Sequence, residues 1–218
     1  MSKPKGKARA KANRKLKNKS KNAFFLRRKQ LLSKIKKLDD PILKETCSPV
    51  DPSEDVSAIV KEMKSILMVS DNGLGIAASQ IGYPKRIFIT RPNITSGDIT
   101  VFINATIIKE SEEREKRGEG CLSYPGVVSV IDRPAEITIE YEDENFRVQT
   151  KKLRGLDACV ACHEYDHTIG VCLVGDAWRA ETEEKNKRSV EVTKEALKRN
   201  NFVSMEDKDG EIVSGNDE

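Results

Sequence analysis

Two histidines four residues apart, in His163-Glu164-Tyr165-Asp166-His167, restrict what this chain can fold into more than any other feature. They are the only histidines among 218 residues. At about 3.6 residues per turn they lie on one face of a helix, close enough to hold one metal ion between them. Glu164 then flanks that ion. In a helix of this kind the glutamate is ordinarily a general base that takes a proton from water attacking a carbonyl.

Two imidazoles leave such a site incomplete, and the five cysteines supply the first candidates for a third ligand. Cys159 and His167 are eight residues apart, about 12 Å along a helix axis, too far for one ion to bridge. Cys162 points about 100° away from His163 on the wheel. Cys47 and Cys172 sit in ordinary surroundings. Cys121 lies in Gly118-Glu119-Gly120-Cys121-Leu122-Ser123-Tyr124-Pro125-Gly126, where turn formers fix a thiolate beside free backbone N–H groups. Cys121 is therefore the favoured third ligand. On the same grounds Glu119 and Asp166, each close to a ligand in sequence, need a cation if buried, and Arg133 is the expected partner.

Three segments taken together, Gly73-Leu74-Gly75-Ile76-Ala77-Ala78-Ser79-Gln80, Glu119-Gly120-Cys121-Leu122-Ser123 and His163-Glu164-Tyr165-Asp166-His167, resemble the signature motifs of peptide deformylase, in that family's order. The resemblance spans about residues 38 to 180. It implies a metal-dependent hydrolase that removes the N-formyl group from the formylmethionine of newly made polypeptides. It also implies one divalent ion, Fe(II) first and Zn(II) or Ni(II) as alternatives, held by Cys121, His163 and His167. Glu164 would be the acid/base, and Gln80 with the Leu122 N–H would bind the formyl oxygen. Gly73 and Gly75 let backbone approach the ligand closely, which makes Gly75 a substrate-binding candidate. The chain departs from the pattern at Thr168, where an apolar residue usually follows the second histidine, and at Gly126-Val127-Val128-Ser129, which carries no arginine.

Rival readings make different demands. A zinc metallopeptidase of the His-Glu-x-x-His type would draw a carboxylate ligand from Glu181, Glu183 or Glu184 instead of Cys121. Cys159-Val160-Ala161-Cys162-His163 matches a c-type haem attachment signature, but covalent haem would consume His163 and leave Glu164 and His167 without a role. A nucleic-acid-binding module is suggested by charge. Residues 1 to 38 hold 16 Lys and Arg and no acid, which leaves 23 basic against 35 acidic residues in the rest. Such a tail suits loose attachment to the ribosome or RNA, and it is compatible with an organellar transit segment, although poor in Ser for one. An odd cysteine count without framework spacing favours a reducing compartment, so the cytoplasm is expected. With 37% hydrophobic residues and no long apolar run, the chain has enough for one modest core and no membrane partner.

The expected organisation is a basic, largely disordered tail (1–38) with an amphipathic helix from Ala23, a catalytic domain (39–200), and an acidic flexible end (201–218). Asp51 and Pro52 look like the cap and first residue of a helix whose apolar stripe is Val56, Ile59, Val60, Met63, Ile66 and Leu67. Strands are expected at Arg86–Thr90, Thr100–Ile108, Val127–Asp132, Ala135–Glu142 and Phe146–Leu153, with Glu110–Arg117 a charged loop. Gly155–Thr168 is the metal helix and about Ala180–Arg199 a polar helix. The fold class is α+β, a largely antiparallel sheet around one central helix.

Overall fold

The computed structural model describes residues 21–37, 40–93 and 97–172. The expected polar helix near 180–199, the acidic end and the first twenty residues lie outside them. Residues 21–32 form helix α1, followed by a 3-10 turn at Pro41–Lys44 and helix α2 at Ser57–Val69. Then come β1 (Gly75–Ala77), a 3-10 turn (Ala78–Ile81), β2 (Ile87–Thr90), β3 (Thr100–Glu110), β4 (Arg114–Cys121), β5 (Tyr124–Pro134), β6 (Glu136–Glu142), β7 (Val148–Arg154) and helix α3 (Leu156–Thr168). Five strands pair in the order β1-β2-β3-β6-β7, and β4 with β5 makes a separate two-stranded ribbon. Every strand pairing is antiparallel.

The sheet lies between two helices, and its central strands show this in their composition. Ile87, Phe88, Ile89 and Thr90 of β2 are all buried, so the period-two alternation of a half-solvated strand is lost. Ile87 and Ile89, with Ile76, Val101 and Ile103, pack on the α2 stripe of Val60, Met63, Ile66 and Leu67. Phe88 and Phe102 point to the other face, stacked at 4.6 Å between ring centroids, and join Ala158, Ala161, Cys162 and Tyr165 of α3. Helix α3 is consequently buried on all sides from Ala158 to Thr168, polar residues included. Thr168 tolerates this because its hydroxyl donates to the Tyr165 carbonyl at 2.7 Å, within its own helix.

Four local expectations are corrected. Helix α2 begins at Ser57, not at Pro52, because Asp51 Oδ1 accepts from the Ser53 N–H and hydroxyl and closes a turn. Asp55, instead, accepts the Ser57 N–H. The charged segment expected as a loop is loop only at residues 111–113; from Arg114 it is strand β4, paired residue for residue with β5 from Pro134 back to Val128. A ribbon with one solvated face can be built from Arg, Glu and Lys, which is why no apolar alternation signals it. The Gly73–Gln80 segment contains a three-residue strand, β1, paired with β2.

The fourth correction concerns the N-terminal segment, expected to add nothing to the core. Ile35 is buried against the α2 cluster, and Leu31 and Leu32 are packed against it. Arg28 donates to the Val69 carbonyl and pairs with Asp71, and Lys34 pairs with Glu62. The Lys36 N–H donates to the Gln80 carbonyl at 2.8 Å, and Lys37 Nζ to that of Leu122 at 3.1 Å. Folded structure thus begins well before residue 39. Ile35→Ala should lower the unfolding free energy in urea by about 2 to 3 kcal/mol. Exposed Phe25→Ala should change it by less than about 0.5 kcal/mol. Equal midpoints for both variants would show that the segment is not part of the core.

Candidate metal centre

Helix α3 supplies His163 and His167 one turn apart, with ring centroids 5.2 Å from each other. Cys121 arrives from the end of β4, where the register with β5 shifts before the short turn to Tyr124. One donor atom from each of Cys121, His163 and His167 lies within 4.8 Å of the other two, and all three residues are buried. Cys121 Sγ is 3.2 Å from His167 Nε2. On the other side of His163, Nδ1 is 2.9 Å from Glu119 Oε2, which fixes the ring and leaves Nε2 facing the trio.

Glu119 in turn is clamped. Arg133 donates to both of its oxygens, from Nε at 2.8 Å and Nη2 at 2.9 Å, and from Nη1 to Asp166 Oδ2 at 2.6 Å. The cation that the sequence calls for is therefore the one found. Strand parity accounts for it, since Glu119 pairs with Ser129 and Arg133 lies four residues on, on the same inward face. Burial pushes the Glu119 carboxyl up, but the hydrogen bonds from Arg133 and His163 outweigh it and hold the pKa down at about 2. The Cys159 thiol donates to Glu119 Oε1 at 3.3 Å.

Gln80 stands on the 3-10 turn after β1, its Oε1 accepting the Ala77 N–H at 2.8 Å, which fixes the amide orientation. Its Nε2 lies 3.3 Å from Cys121 Sγ and 3.2 Å from Ser123 Oγ. Ser123 is a contact that sequence reasoning missed, although its place two residues after Cys121 in the same motif was the available signal. Glu164 sits beside the trio with Oε2 buried and without a hydrogen-bond partner among the described residues. Burial raises its pKa to about 7. Gly75 faces this carboxylate: a Cβ there would stand 2.5 Å from Glu164 Cγ and 2.6 Å from Oε1. The glycine thus makes room for a side chain of the protein itself.

Cys121, His163 and Glu164 line a cleft of about 510 Å³, together with Gly73, Leu74 and Gly75 and with Gly118 to Leu122. His163, Glu164, Cys159, Val160 and Leu156 form its floor. The donor set fits a divalent ion of intermediate softness, one sulfur and two imidazole nitrogens converging with no basic side chain among them. Burial opposes a charge on His163, yet Cys121 and Glu119 draw its pKa up to about 10, whereas burial holds that of His167 down.

A cysteine sulfur and two imidazoles converge at a cleft beside a buried carboxyl with one oxygen unpartnered among the described residues, an arrangement that fits a metal-dependent hydrolase. Residues 32–184 match the family model described as polypeptide deformylase, and the chain belongs to that family. A peptide deformylase of Rhizobium meliloti is 37% identical over 141 residues, covering 63% of this chain and 80% of that one. One of Natranaerobius thermophilus is 32% identical over 156 residues, covering 71% and 98%. Among solved structures, a peptide deformylase from Plasmodium falciparum aligns with TM-score 0.61 at 28% identity, covering 74% of this chain and 97% of that chain. One from the Vibrio parahaemolyticus bacteriophage VP16T, in complex with actinonin, aligns with TM-score 0.59 at 32% identity, covering 64% and 98%. The enzyme removes the N-formyl group from nascent polypeptides.

Arg133 can be tested on stability alone. Arg133→Met leaves Glu119 and Asp166 buried without their cation and should cost about 3 to 5 kcal/mol in urea unfolding. Arg133→Lys keeps the charge but loses the two-pronged contact, so its loss should be intermediate. A fully stable Arg133→Met protein would contradict the clamp.

Proposed function

We propose that Cys121, His163 and His167 hold one divalent ion, Fe(II) in the native enzyme with Zn(II) or Ni(II) able to replace it, and that Glu164 is the acid/base of deformylation. The observation that carries this reading is the convergence of the three donors within 4.8 Å with an unpartnered Glu164 oxygen beside them. When bound, such an ion supplies Lewis acidity and makes water nucleophilic near neutral pH. Glu164 takes the proton of the attacking water, a task suited to a carboxyl whose burial raises its pKa to about 7. It then returns that proton to the departing amine nitrogen, so formate and a free methionyl chain result. Gln80 and the Leu122 N–H donate to the formyl oxygen as charge develops on it, with one Gln80 N–H turning from Ser123 to do so. Each such donor lowers the barrier by about 3 kcal/mol.

No described helix is long and apolar enough to cross a membrane. We place the enzyme in the cytoplasm, acting on formylmethionyl chains as they emerge, with the basic segment of residues 1–38 giving weak, salt-sensitive attachment to ribosomal RNA. Removing residues 1–20, which hold nine of those 16 basic residues, should weaken that attachment in filter binding at low salt. Unchanged retention would dispose of it.

The catalytic assignment is tested by metal content and formate release on the same anaerobically purified samples, with formyl-Met-Ala-Ser as substrate. Glu164→Gln should keep its metal and lose about 10² to 10⁴ in turnover. Cys121→Ala should lose the metal as well. Gly75→Ala should keep the metal yet lose about 10² in turnover, because the added Cβ displaces the Glu164 side chain. An active, metal-replete Cys121→Ala protein would defeat the assignment and favour a carboxylate third ligand.

A further inference from the structure

Strand β4 turns into β5 through two residues, Leu122 and Ser123, since Cys121 pairs with Tyr124. A turn this short is set by its own sequence when it carries glycine or asparagine, and this one carries neither. Its shape therefore depends on what holds it from outside. Among the described residues, two side chains bond to it. Gln80 Nε2 lies 3.2 Å from Ser123 Oγ, and Lys37 Nζ donates to the Leu122 carbonyl at 3.1 Å.

Lys37 reaches the turn on a segment that also holds Gln80. The Lys36 N–H donates to the Gln80 carbonyl at 2.8 Å. A Cβ on Gly82 would stand 3.2 Å from Lys36 Cε, so this segment lies directly against the 3-10 turn that carries Gln80. Ile35 is buried in one cluster with Ala78 and Ile81 of that turn, and Leu122 packs against the same cluster. Residues 35–37 are thus a strap across Gln80 and Leu122, the two groups that would bind the formyl oxygen.

The strap matters most during the reaction. For Gln80 to serve the formyl oxygen, one of its N–H groups leaves Ser123, and the bond from Lys37 is then the side-chain tie that remains on the turn. We propose that Lys37 is a positioning residue for deformylation, holding the Leu122–Ser123 turn so that the Leu122 N–H stays aimed at the formyl oxygen once Gln80 has let go of Ser123. Resting on the deformylase reading of the cleft, in which Gln80 and Leu122 are the oxyanion donors, this role is felt as charge develops on the oxygen. Removing the tie therefore lowers kcat and leaves KM in place.

The test measures kcat and KM for formyl-Met-Ala-Ser on the metal-loaded full chain, K37M, K37R and K34M, with metal content and urea midpoint on the same samples. Methionine keeps an unbranched stem without the donor, so K37M should lose about five- to ten-fold in kcat with KM, metal content and midpoint unchanged. K37R can donate to the same carbonyl and should stay within about two-fold of the parent. So should K34M, because the Lys34 ion pair with Glu62 ties the same segment to α2 instead. Hydrogen exchange of residues 121–124 reads the hold on the turn without turnover, and should be about five-fold faster in K37M than in the parent or K37R. Parental kcat or parental exchange in K37M overturns the proposal. So does a loss that K37R shares, or one that comes with lost metal or a lower midpoint. Faster exchange in K37M from a parent that releases no formate would defeat the deformylase reading and uphold the hold on the turn.

Discussion

The guanidinium of Arg133 joins the two parts of the molecule that must meet for a site to exist. It reaches from the ribbon to Glu119 on the neighbouring strand and to Asp166 on helix α3, with all three groups buried. Isolated, each of these charges would be costly inside the protein; together, with hydrogen bonds satisfying most of their donors and acceptors, they hold one geometry. Glu119 then passes the constraint on to His163 Nδ1 at 2.9 Å. Ribbon, helix and imidazole are thus fixed by one chain of charge-assisted hydrogen bonds, with Cys121 two residues from Glu119 on the same strand face. The apolar core places α3 against the sheet, but this clamp sets where β4 ends relative to it.

The centre of the site was legible because its residues are rare and periodic. Two histidines at helical spacing, a cysteine between turn formers, and an acid two residues ahead of it need only local geometry to be connected. Arg133 was legible for a different reason: buried acids demand a cation. Strand β4 was hidden because its inward positions Glu115, Arg117 and Glu119 are charged, so it lacks the apolar alternation of an amphipathic strand. Strand β1, at three residues, is too short to have a period. Ile35 looked like part of a solvated tail because lysines surround it, and only the tertiary partner, the α2 cluster, gives it a buried place.

Gly75 shows the limit from the other side. Its position in a glycine-rich motif suggested close approach of backbone to a ligand, and the close approach is real, but what comes near is the Glu164 side chain from a helix almost ninety residues away. Sequence can announce that a Cβ is forbidden. It cannot say which atom forbids it, because that depends on the packing of α3 against β1.

Charge balance links the clamp to the chemistry proposed for the trio. Around His163 the protein buries Glu119 and Asp166 as anions, and Cys121 adds a third negative charge if it ligates as thiolate, against the single positive charge of Arg133. A divalent ion would close that difference. Of the buried acids Glu119, Asp166 and Glu164, it is Glu164, whose Oε2 has no hydrogen-bond partner among the described residues, whose protonation can change without breaking a bond of the clamp. A carboxyl in that situation can take up and release a proton in each turnover at little structural cost. Glu119 and Asp166, committed to Arg133, cannot.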